Sequence, residues 1–272
     1  MADVELAAWK DTTLTPCFLR QPISDMSPRT VPSSAEFERI RELDTCTASN
    51  AIERFNIRLR NEGFASSGIH CRFPHFAPML GYAATALIRT SAAPVVGNSY
   101  RDRIGYLHYL ASMPEPRVLV LQDVDRMPGV GALVGEIHAT IAQVLDCVGC
   151  VTNGAVRDLP AVEAMGFHLF SGSVAVSHAY AHIVGFGVPV EIAGLKILPG
   201  DLIHGDRHGV HTIPLSIAAD IPRVAAELLE QERELINFCR SPQFSLDGLS
   251  EKLRHTPAVG PIQTSDTGTK TS

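Results

Sequence analysis

An alternation of strand and helix patterns in the middle of the chain constrains the fold more than any other feature. Its first member, RVLVLQD, is a continuous apolar run of the kind found in strands that are buried on both faces. A helical pattern follows, and then a strand, a short helix and a further strand. The five segments are 117–123, 131–147, 149–153, 160–166 and 167–172. This β-α-β-α-β order predicts a parallel sheet within an α/β layer.

The longer helical pattern, GALVGEIHATIAQVLDC at 131–147, repeats its apolar residues at helical spacing. We expect the face that these residues share to pack against the core. Its members are Ile137, Ile141, Val144 and Leu145.

The segments on either side predict helices at both ends of one domain and short strands between them. The N-terminal helix begins with a capping box formed by Ser33 and Glu36. The other expected elements are a helix from Thr47, a strand at 81–90, a meander or partial barrel at 188–214, and a helix from Pro222 to residue 240. We divide the chain into an N-terminal arm (1–32), a single α/β domain (33–240) and a polar C-terminal tail (241–272), whose end is expected to be disordered.

The charge balance and the apolar pattern disfavour two classes of function. The chain has 23 Lys and Arg against 29 Asp and Glu, so no basic field exists for a phosphate backbone, and nucleic-acid binding is not expected. No apolar run approaches the roughly 18 residues that span a bilayer, so no membrane segment is expected. The six cysteines occur without a secretory signal pattern. We therefore expect a cytoplasmic protein with reduced thiols.

Cys147 and Cys150 have the spacing of a redox or zinc pair. They lie in a strand pattern, where residues three apart point to opposite faces, and no second pair completes a zinc site. We expect both to be small buried side chains.

His178 and His182 have the spacing of a metal pair on one face of a helix, but no third ligand is evident. The meander carries three more histidines, which we expect to be exposed turn and strand residues: His204, His208 and His211. Asp206 is expected to be a turn former.

The glycine-rich loop MPGVGALVG (127–135) feeds the helix that begins near Gly135. The first turn of a helix leaves backbone amides unpaired, and the helix dipole there favours anions. Four consecutive residues can therefore offer amides to a carboxylate: Gly135, Glu136, Ile137 and His138.

Two adjacent opposite charges, Arg157 and Asp158, follow the strand at 149–153. If this strand is parallel to 117–123, they emerge at the sheet edge where ligands gather. Neighbours in sequence rarely satisfy each other, so we expect each to face something else. Arg157 would hold a carboxylate through its forked donors, and Asp158 a hard divalent ion such as Mg²⁺ with Glu136 nearby. This combination suits the formation of an enolate next to a carboxylate.

Each of these residues also has a structural interpretation. Arg157 and Asp158 can form a loop pair that caps the helix near Pro160. Glu136 can be a first-turn acid that the helix dipole favours. Gly135 can simply permit close packing.

The order of these residues resembles the RraA-like family. Gly135-Glu136, twenty residues, Arg157-Asp158 and MGFHLF (165–170) match its acidic residue and its Arg-Asp pair after a small-residue loop. The segment VPVEIAGLKILPGDLIHGDRHGVHTIP matches the family's ending, and the resemblance covers roughly residues 36–240, including LDTCTASNAIERF. The family includes class II aldolases of 4-hydroxy-4-methyl-2-oxoglutarate and 4-carboxy-4-hydroxy-2-oxoadipate, and regulators of ribonuclease activity.

The resemblance implies a three-layer α/β fold related to phosphohistidine swivelling domains, with a strand meander or barrel and flanking helices at both termini. It also implies homotrimers or hexamers with sites at subunit contacts. In the site, it implies that Asp158 binds the metal directly, that Glu136 binds it through water, and that Arg157 contacts the substrate and the enolate oxygen. The amides of residues 135–138 would bind the pyruvoyl carboxylate.

Two features depart from the family pattern. Asn153 stands where members commonly carry Asp, and the segment 91–116 is longer and more aromatic than in the short aldolases. We expect a lyase, dependent on Mg²⁺, Mn²⁺ or another divalent cation, that cleaves a 4-hydroxy-2-keto acid to pyruvate and also decarboxylates oxaloacetate. The alternative is a non-catalytic regulatory or scaffold protein on the same oligomeric fold.

Overall fold

The computed structural model describes residues 31–94 and 103–255 of the chain. Its strands are β1 (His70–Cys71), β2 (Met79–Arg89), β3 (Arg117–Asp123), β4 (Ala132–Val134), β5 (Cys147–Val156), β6 (His168–Val174), β7 (His182–Phe186), β8 (Val190–Ile192), β9 (Leu195–Ile197), β10 (Leu202–Asp206) and β11 (Gly209–Ile213). Its α-helices are α1 (Ser34–Arg41), α2 (Thr45–Glu53), α3 (Arg103–Ser112), α4 (Glu136–Val144), α5 (Leu159–Ala164), α6 (Ile221–Arg240) and α7 (Leu246–His255), and a 3₁₀ helix covers Leu215–Asp220.

The predicted β-α-β-α-β order is confirmed. Strands β2, β3, β5 and β6 are parallel neighbours in the sheet, and α4 and α5 connect β3 to β5 and β5 to β6. The long strand β5 pairs with β3 over its first half and with β4 over its second half. The β4 strand was not predicted, because its three residues lie inside the helical pattern at 131–147.

The sheet curves into a nearly closed barrel. Strands β10 and β11 extend it on one side by antiparallel pairing, and β1 pairs with β6 on the other. The segment before β1 reaches back to the far edge, where the Thr212 amide donates to the Gly63 carbonyl and the Ala65 amide to the Val210 carbonyl, both at 2.9 Å. One stretch of chain, residues 63–71, thus contacts both edges of the sheet.

Alternation along β3 shows how the layers pack. Val118 and Val120 belong to the core that the β8–β9 hairpin covers. Leu119 and Leu121 point the other way, into the core beneath α3, α4 and α5. Each fully buried side chain of this kind stabilises the fold by about 1.5–3 kcal/mol. Burial on both faces is what the continuous apolar run predicted.

Helices α1, α2 and α6 form a separate layer over β2, β10 and β11. The predicted capping box is present, with the Ser33 amide donating to the Glu36 carboxylate at 2.7 Å. Helix α6 begins one residue before Pro222 and ends at Arg240, as expected. Helix α7 lies in the segment assigned to the polar tail and was not predicted.

The inward face predicted for 131–147 is wrong at three positions. Ile137, Ile141 and Val144 are 70%, 38% and 78% exposed, whereas α4 buries His138, Ala139 and Ala142. Small alanine side chains let the helix lie close to the sheet, and the larger apolar side chains form a stripe on the outside. Leu145, just after the helix, does pack against the core, as predicted.

Cys147 and Cys150 are buried, as predicted, but they do not point to opposite faces. Both lie in the core beneath the helices. The register between β3 and β5 shifts at this point, so that Arg117 pairs with Cys147 and Val118 with Gly149. The extra residue reverses the alternation. Burial raises the pKa of the Cys147 thiol to about 12, and that of Cys150 rises further, which excludes thiolate chemistry at neutral pH.

The expectation of exposed histidines is wrong for His204 and His211. These residues face each other across β10 and β11, both are buried, and His204 Nδ1 lies 2.9 Å from His211 Nε2. Burial lowers the pKa of His204 to about 4, and the pKa of His211 also falls well below its ordinary value because of burial and the neighbouring His204. The pair is therefore neutral at physiological pH.

Asp206 forms the predicted turn, because its carboxylate accepts the His208 amide at 2.8 Å. It also accepts the Thr45 amide at 2.9 Å and the Thr45 hydroxyl at 2.7 Å. This buried carboxylate thus fastens the start of α2 to the β10–β11 hairpin.

Candidate active site

The pairing of β4 with β5 brings the predicted site residues together. Val134 and Val156 are register partners at the ends of these parallel strands. Gly135 and α4 follow the first strand, and Arg157 follows the second with its amide donating to the Val134 carbonyl at 3.0 Å. The two segments therefore leave the sheet side by side at its carboxyl edge, where α/β sheets bind ligands.

Asp158 has left-handed backbone geometry, with φ of 55°. This conformation is uncommon outside glycine, although aspartate adopts it more readily than most residues. The side chain does not cap α5. Instead, its Oδ2 accepts the Glu136 amide at 3.1 Å and Arg157 Nε at 3.2 Å. Strained backbone of this kind clusters at functional sites.

Three interpretations of these residues are corrected. Arg157 and Asp158 do contact each other, because the left-handed turn places the carboxylate beside the guanidinium. The amide of Glu136, expected to bind a substrate carboxylate, is instead bonded to Asp158. The helix-capping interpretation is also wrong, since the carboxylate bonds to α4 rather than to α5.

Gly135 is buried and packs directly against this pair. A Cβ atom at this position would meet Asp158 Oδ2 and would lie 2.8 Å from Arg157 Cγ. Its φ of −141° is ordinary extended backbone, so only the close approach requires glycine. The close-packing interpretation of Gly135 thus holds, and the groups packed against it are the predicted site residues.

Glu136 is exposed at the first turn of α4. Its carboxylate makes no hydrogen bond or ion pair with any residue in the described ranges. The position suits both a first-turn acid and a carboxylate directed at a hydrated ion.

A cavity of about 140 Å³ opens at this edge of the sheet. An engineered cavity of about 150 Å³ holds benzene, which has six heavy atoms, as pyruvate does. The lining residues are Pro94, Arg103, Ala132, Leu133, Gly135, Ile137, His138, Arg157, Asp158, His178, Ala179, Tyr180 and Ala181. Every predicted site residue except Glu136 is among them.

Sequence reasoning missed one wall of this cavity. Arg103 begins α3 in the segment noted only for its length and aromatic content, and the loop before β7 contributes His178 and Tyr180. The loop is held by a bond from the Ala132 amide to the Ser177 carbonyl at 3.0 Å. In the sequence, only Gly131 hints at this contact, because a side chain there would collide with Ala179 in the loop.

His138 forms part of the cavity wall and is 6% exposed. Burial, and then the positive charge of Arg103, lower the pKa of His138 to about 4. Its imidazole is therefore neutral at physiological pH. The sequence analysis considered only its backbone amide.

His178 and His182 have the spacing of a helical metal pair, but they do not share a helix. His178 lies in the loop and His182 on β7, and each Nδ1 atom lies 2.7 Å from a nearby backbone carbonyl. No group of three or more His, Cys, Asp and Glu side chains suited to a metal occurs within residues 31–94 and 103–255. Asp158 and Glu136 supply two carboxylates near the start of α4, and one or two carboxylates are what a hydrated Mg²⁺ commonly takes from a protein.

The RraA-like family profile, described as Aldolase/RraA, matches residues 45–211. The chain belongs to the RraA-like family. A Halalkalibacterium halodurans protein with the provisional name 4-hydroxy-4-methyl-2-oxoglutarate aldolase is 37% identical over 84 residues, which is 30% of this chain and 40% of that protein. The RraA-like chain thus spans less than half of that relative's length.

Two solved structures share the fold. An uncharacterized protein from Pseudomonas syringae pv. tomato str. DC3000 superposes with a TM-score of 0.64 at 24% identity, over 85% of this RraA-like chain and 99% of that one. Streptomyces coelicolor RraAS2, described as an unusual member of the RNase ES inhibitor RraA protein family, gives 0.59 at 21% identity, over 75% and 96% of the two chains. No helix in the described part of the chain is long and apolar enough to cross a membrane.

The structure explains one departure of this RraA-like chain from its family pattern. Asn153 Oδ1 accepts the Asp123 amide at 2.7 Å, and Asn153 Nδ2 donates to the Asp123 carbonyl at 3.0 Å. An aspartate at this position has no donor for the second bond. Asn153, within β5, thus bonds to the last residue of β3.

Proposed function

We propose that this RraA-like protein is a divalent-metal-dependent lyase that cleaves a 4-hydroxy-2-keto acid to pyruvate through an enolate, with oxaloacetate decarboxylation as a side activity. The observation that carries the proposal is the meeting of Arg157, Asp158 and the first turn of α4 at one cavity with room for a pyruvoyl group. The family match and the name of the Halalkalibacterium relative support the same reaction class.

Arg157 is positioned to bind the substrate. Only its Nε bonds to Asp158, and its two terminal nitrogens make no bond to any other described residue. These forked donors are suited to a carboxylate or to the oxygen on which enolate charge develops. The ion pair with Asp158 fixes the plane of the guanidinium before the substrate arrives, so little of its freedom is lost on binding.

The first turn of α4 would hold the pyruvoyl carboxylate. The Glu136 amide is occupied by Asp158, so the amides of Ile137 and His138 are the donors that remain at the helix start. The helix dipole adds to their attraction for an anion.

The proposed cofactor is Mg²⁺, Mn²⁺ or another divalent cation. Asp158 would hold it directly and Glu136 through water, and the donor set of two carboxylates fits an ion that keeps most of its water shell. When bound, such an ion supplies a Lewis acid for the keto oxygen. Asp158 would therefore serve both as a metal ligand and as the group that orients Arg157.

The proposal includes assembly into a homotrimer or hexamer. The apolar stripe of Ile137, Ile141 and Val144 is exposed, and Ile137 also lines the cavity. A second copy that covers the stripe would therefore lie at the mouth of the site.

Multi-angle light scattering should show a trimer or hexamer, and the double variant Ile141→Glu/Val144→Glu should dissociate it. Leu246→Glu on α7 is the control, because Leu246 is 74% exposed, close to the 78% of Val144. A monomeric wild type would refute this assembly.

We also propose that the fold is related to the phosphohistidine swivelling domains. The feature that supports this is the layer of helices packed on one face of the parallel strands.

Pyruvate release tests the proposed reaction. The purified protein is assayed with oxaloacetate and with 4-hydroxy-2-keto diacids, in Mg²⁺ or Mn²⁺ and again in EDTA. We expect a rate that EDTA abolishes and that added metal restores. No metal-dependent rate above the blank with any of these acids would reject the lyase and favour the non-catalytic regulator.

A further inference from the structure

His138 has hydrogen-bonding capacity that the protein itself does not use. The side chain is 6% exposed and lines the cavity, its Nδ1 is sealed from solvent without a partner, and neither ring nitrogen bonds to a described residue. Leaving such a group unsatisfied costs about 1–3 kcal/mol. Nδ1 keeps this cost in the folded chain, whereas Nε2, on the cavity-lining ring, is left to bond with whatever occupies the cavity.

The surroundings of His138 indicate an acidic ligand group. Arg103 lines the same cavity and lies close enough for its positive charge to act on the imidazole. Tyr106, one turn further along α3, has its ring 6.3 Å from that of His138, and its buried hydroxyl also lacks a partner among the described residues. An imidazole N–H and a guanidinium that line one cavity suit an anionic oxygen.

The cavity thus has cationic groups at two places. Arg157 lies by α4 and Asp158, where the pyruvoyl carboxylate would bind. Arg103 on α3 is the second cation, and the His138 side chain lines the same cavity. Because Nδ1 of His138 is closed off, Nε2 is the ring nitrogen that remains for the ligand.

We propose that the His138 side chain is a specificity-determining residue that donates a hydrogen bond from Nε2 to a second acidic group of a 2-keto diacid, beside Arg103. This inference rests on the proposed function, since it adds a substrate feature to the same site. It assigns to the side chain a role separate from that of the backbone amide.

A pair of matched ligands tests the inference without turnover. 2-Oxoglutarate and 2-oxopentanoate have the same five-carbon chain, with and without the terminal carboxylate. Their dissociation constants are measured by calorimetry in Mg²⁺ for the wild type and for His138→Leu, His138→Asn and His138→Gln. Glutamine places its amide near Nε2, whereas asparagine reaches only the position of Nδ1. His168→Leu is the matched control, because His168 also has a buried, unpartnered Nδ1 but does not line the cavity.

We expect the wild type, His138→Gln and the His168→Leu control to prefer 2-oxoglutarate. His138→Leu and His138→Asn should weaken 2-oxoglutarate binding about 10- to 100-fold, as expected for a lost bond to a charged group, and change 2-oxopentanoate binding less than about 2-fold. The melting temperature of His138→Leu should not fall, since the change removes an unsatisfied group. The asparagine variant decides the matter if the leucine variant does not fold.

Unchanged discrimination in the leucine or asparagine variant, or a wild type that fails to prefer the diacid, would overturn the inference. Failure of the proposed function is distinguishable. If the wild type prefers 2-oxoglutarate through His138 but releases no pyruvate, the proposed lyase activity is rejected and the role of His138 stands. If the wild type releases pyruvate but the His138 variants keep its preference for 2-oxoglutarate, only the inference about His138 is rejected.

Discussion

Replacing Gly135 by alanine should disable the site while leaving the fold in place. The backbone at Gly135 is ordinary and extended, so alanine introduces no dihedral strain. All of the effect comes from the added Cβ, which would lie 2.8 Å from Arg157 Cγ and 3.2 Å from Asp158 Cγ, and closer still to Asp158 Oδ2. Real Cβ atoms do not approach other atoms below 3.0 Å. The Asp158 side chain must therefore move.

The size of that movement sets the expected loss. A shift of about 1 Å breaks the 3.1 Å bond from the Glu136 amide to Asp158, and misplacement of about 1 Å costs a catalytic site about 100-fold in rate. The lost bond to a charged group and the crowding together should lower the free energy of unfolding by about 1–3 kcal/mol. Activity should thus fall far more than stability.

Metal-dependent pyruvate release from oxaloacetate gives the rate, and urea denaturation gives the stability. Gly68→Ala is the control, because its nearest neighbour would be the Ala193 Cβ at 4.0 Å. It should keep the wild-type rate and change stability by less than about 1 kcal/mol in either direction. A Gly135→Ala enzyme with the wild-type rate would refute the placement of Asp158 and Arg157 at the reacting centre.

Two further predictions concern stability and pH. Burial alone would raise the pKa of Asp206, but the hydrogen bonds from Thr45 and His208 outweigh it and hold the pKa below its ordinary value. The carboxylate therefore stabilises the fold fully above about pH 4, and this contribution is lost as the pH falls through the pKa of the folded state. In urea denaturation at neutral pH, Asp206→Asn should lower the free energy of unfolding by about 1.5–3 kcal/mol, and it should make stability less sensitive to acid. Equal free energies of unfolding for the two proteins at pH 7 would contradict this. The buried neutral His204–His211 pair takes up protons less readily than the unfolded chain, so stability should fall as pH drops below the ordinary histidine value, by on the order of 2 kcal/mol for His204 at pH 5. His204→Leu/His211→Leu should reduce that loss, and an unchanged pH dependence would show that other groups cause it.

The sequence predicted what depends on local pattern. The parallel layer followed from the apolar run at 117–123 and the helix and strand periods after it, and the capping box at Ser33 followed from two residue types at fixed spacing. The meeting of the glycine-rich loop with Arg157 was also predicted, because the parallel strands β3 and β5 end at one edge. The pairing of β5 with β4, which brings the two segments side by side, was not.

Features that depend on register or on unusual backbone could not be predicted in this way. The bulge at Cys147 reverses the side-chain alternation, and the pairing of His204 with His211 depends on how two strands align. The contact between Arg157 and Asp158 depends on a left-handed residue.

The prediction that the apolar face of α4 packs against the core failed for a different reason. Periodicity identifies an apolar face but does not say what covers it, and Ile141 and Val144 remain exposed on this chain. The cavity wall from α3 and the loop before β7 was missed because its residues share no spacing with the others.

The most direct test of the enolate chemistry is hydrogen exchange at the methyl group of pyruvate. Followed by proton NMR in D₂O, it depends on enolate formation and not on the identity of the natural substrate. With Mg²⁺ or Mn²⁺, the wild type should erase the methyl signal far faster than the blank. EDTA or Asp158→Asn, which keeps an acceptor for the Glu136 amide but loses the charge, should stop the exchange. Exchange no faster than the blank in the metal-loaded wild type, or undiminished exchange in Asp158→Asn, would contradict the proposed site.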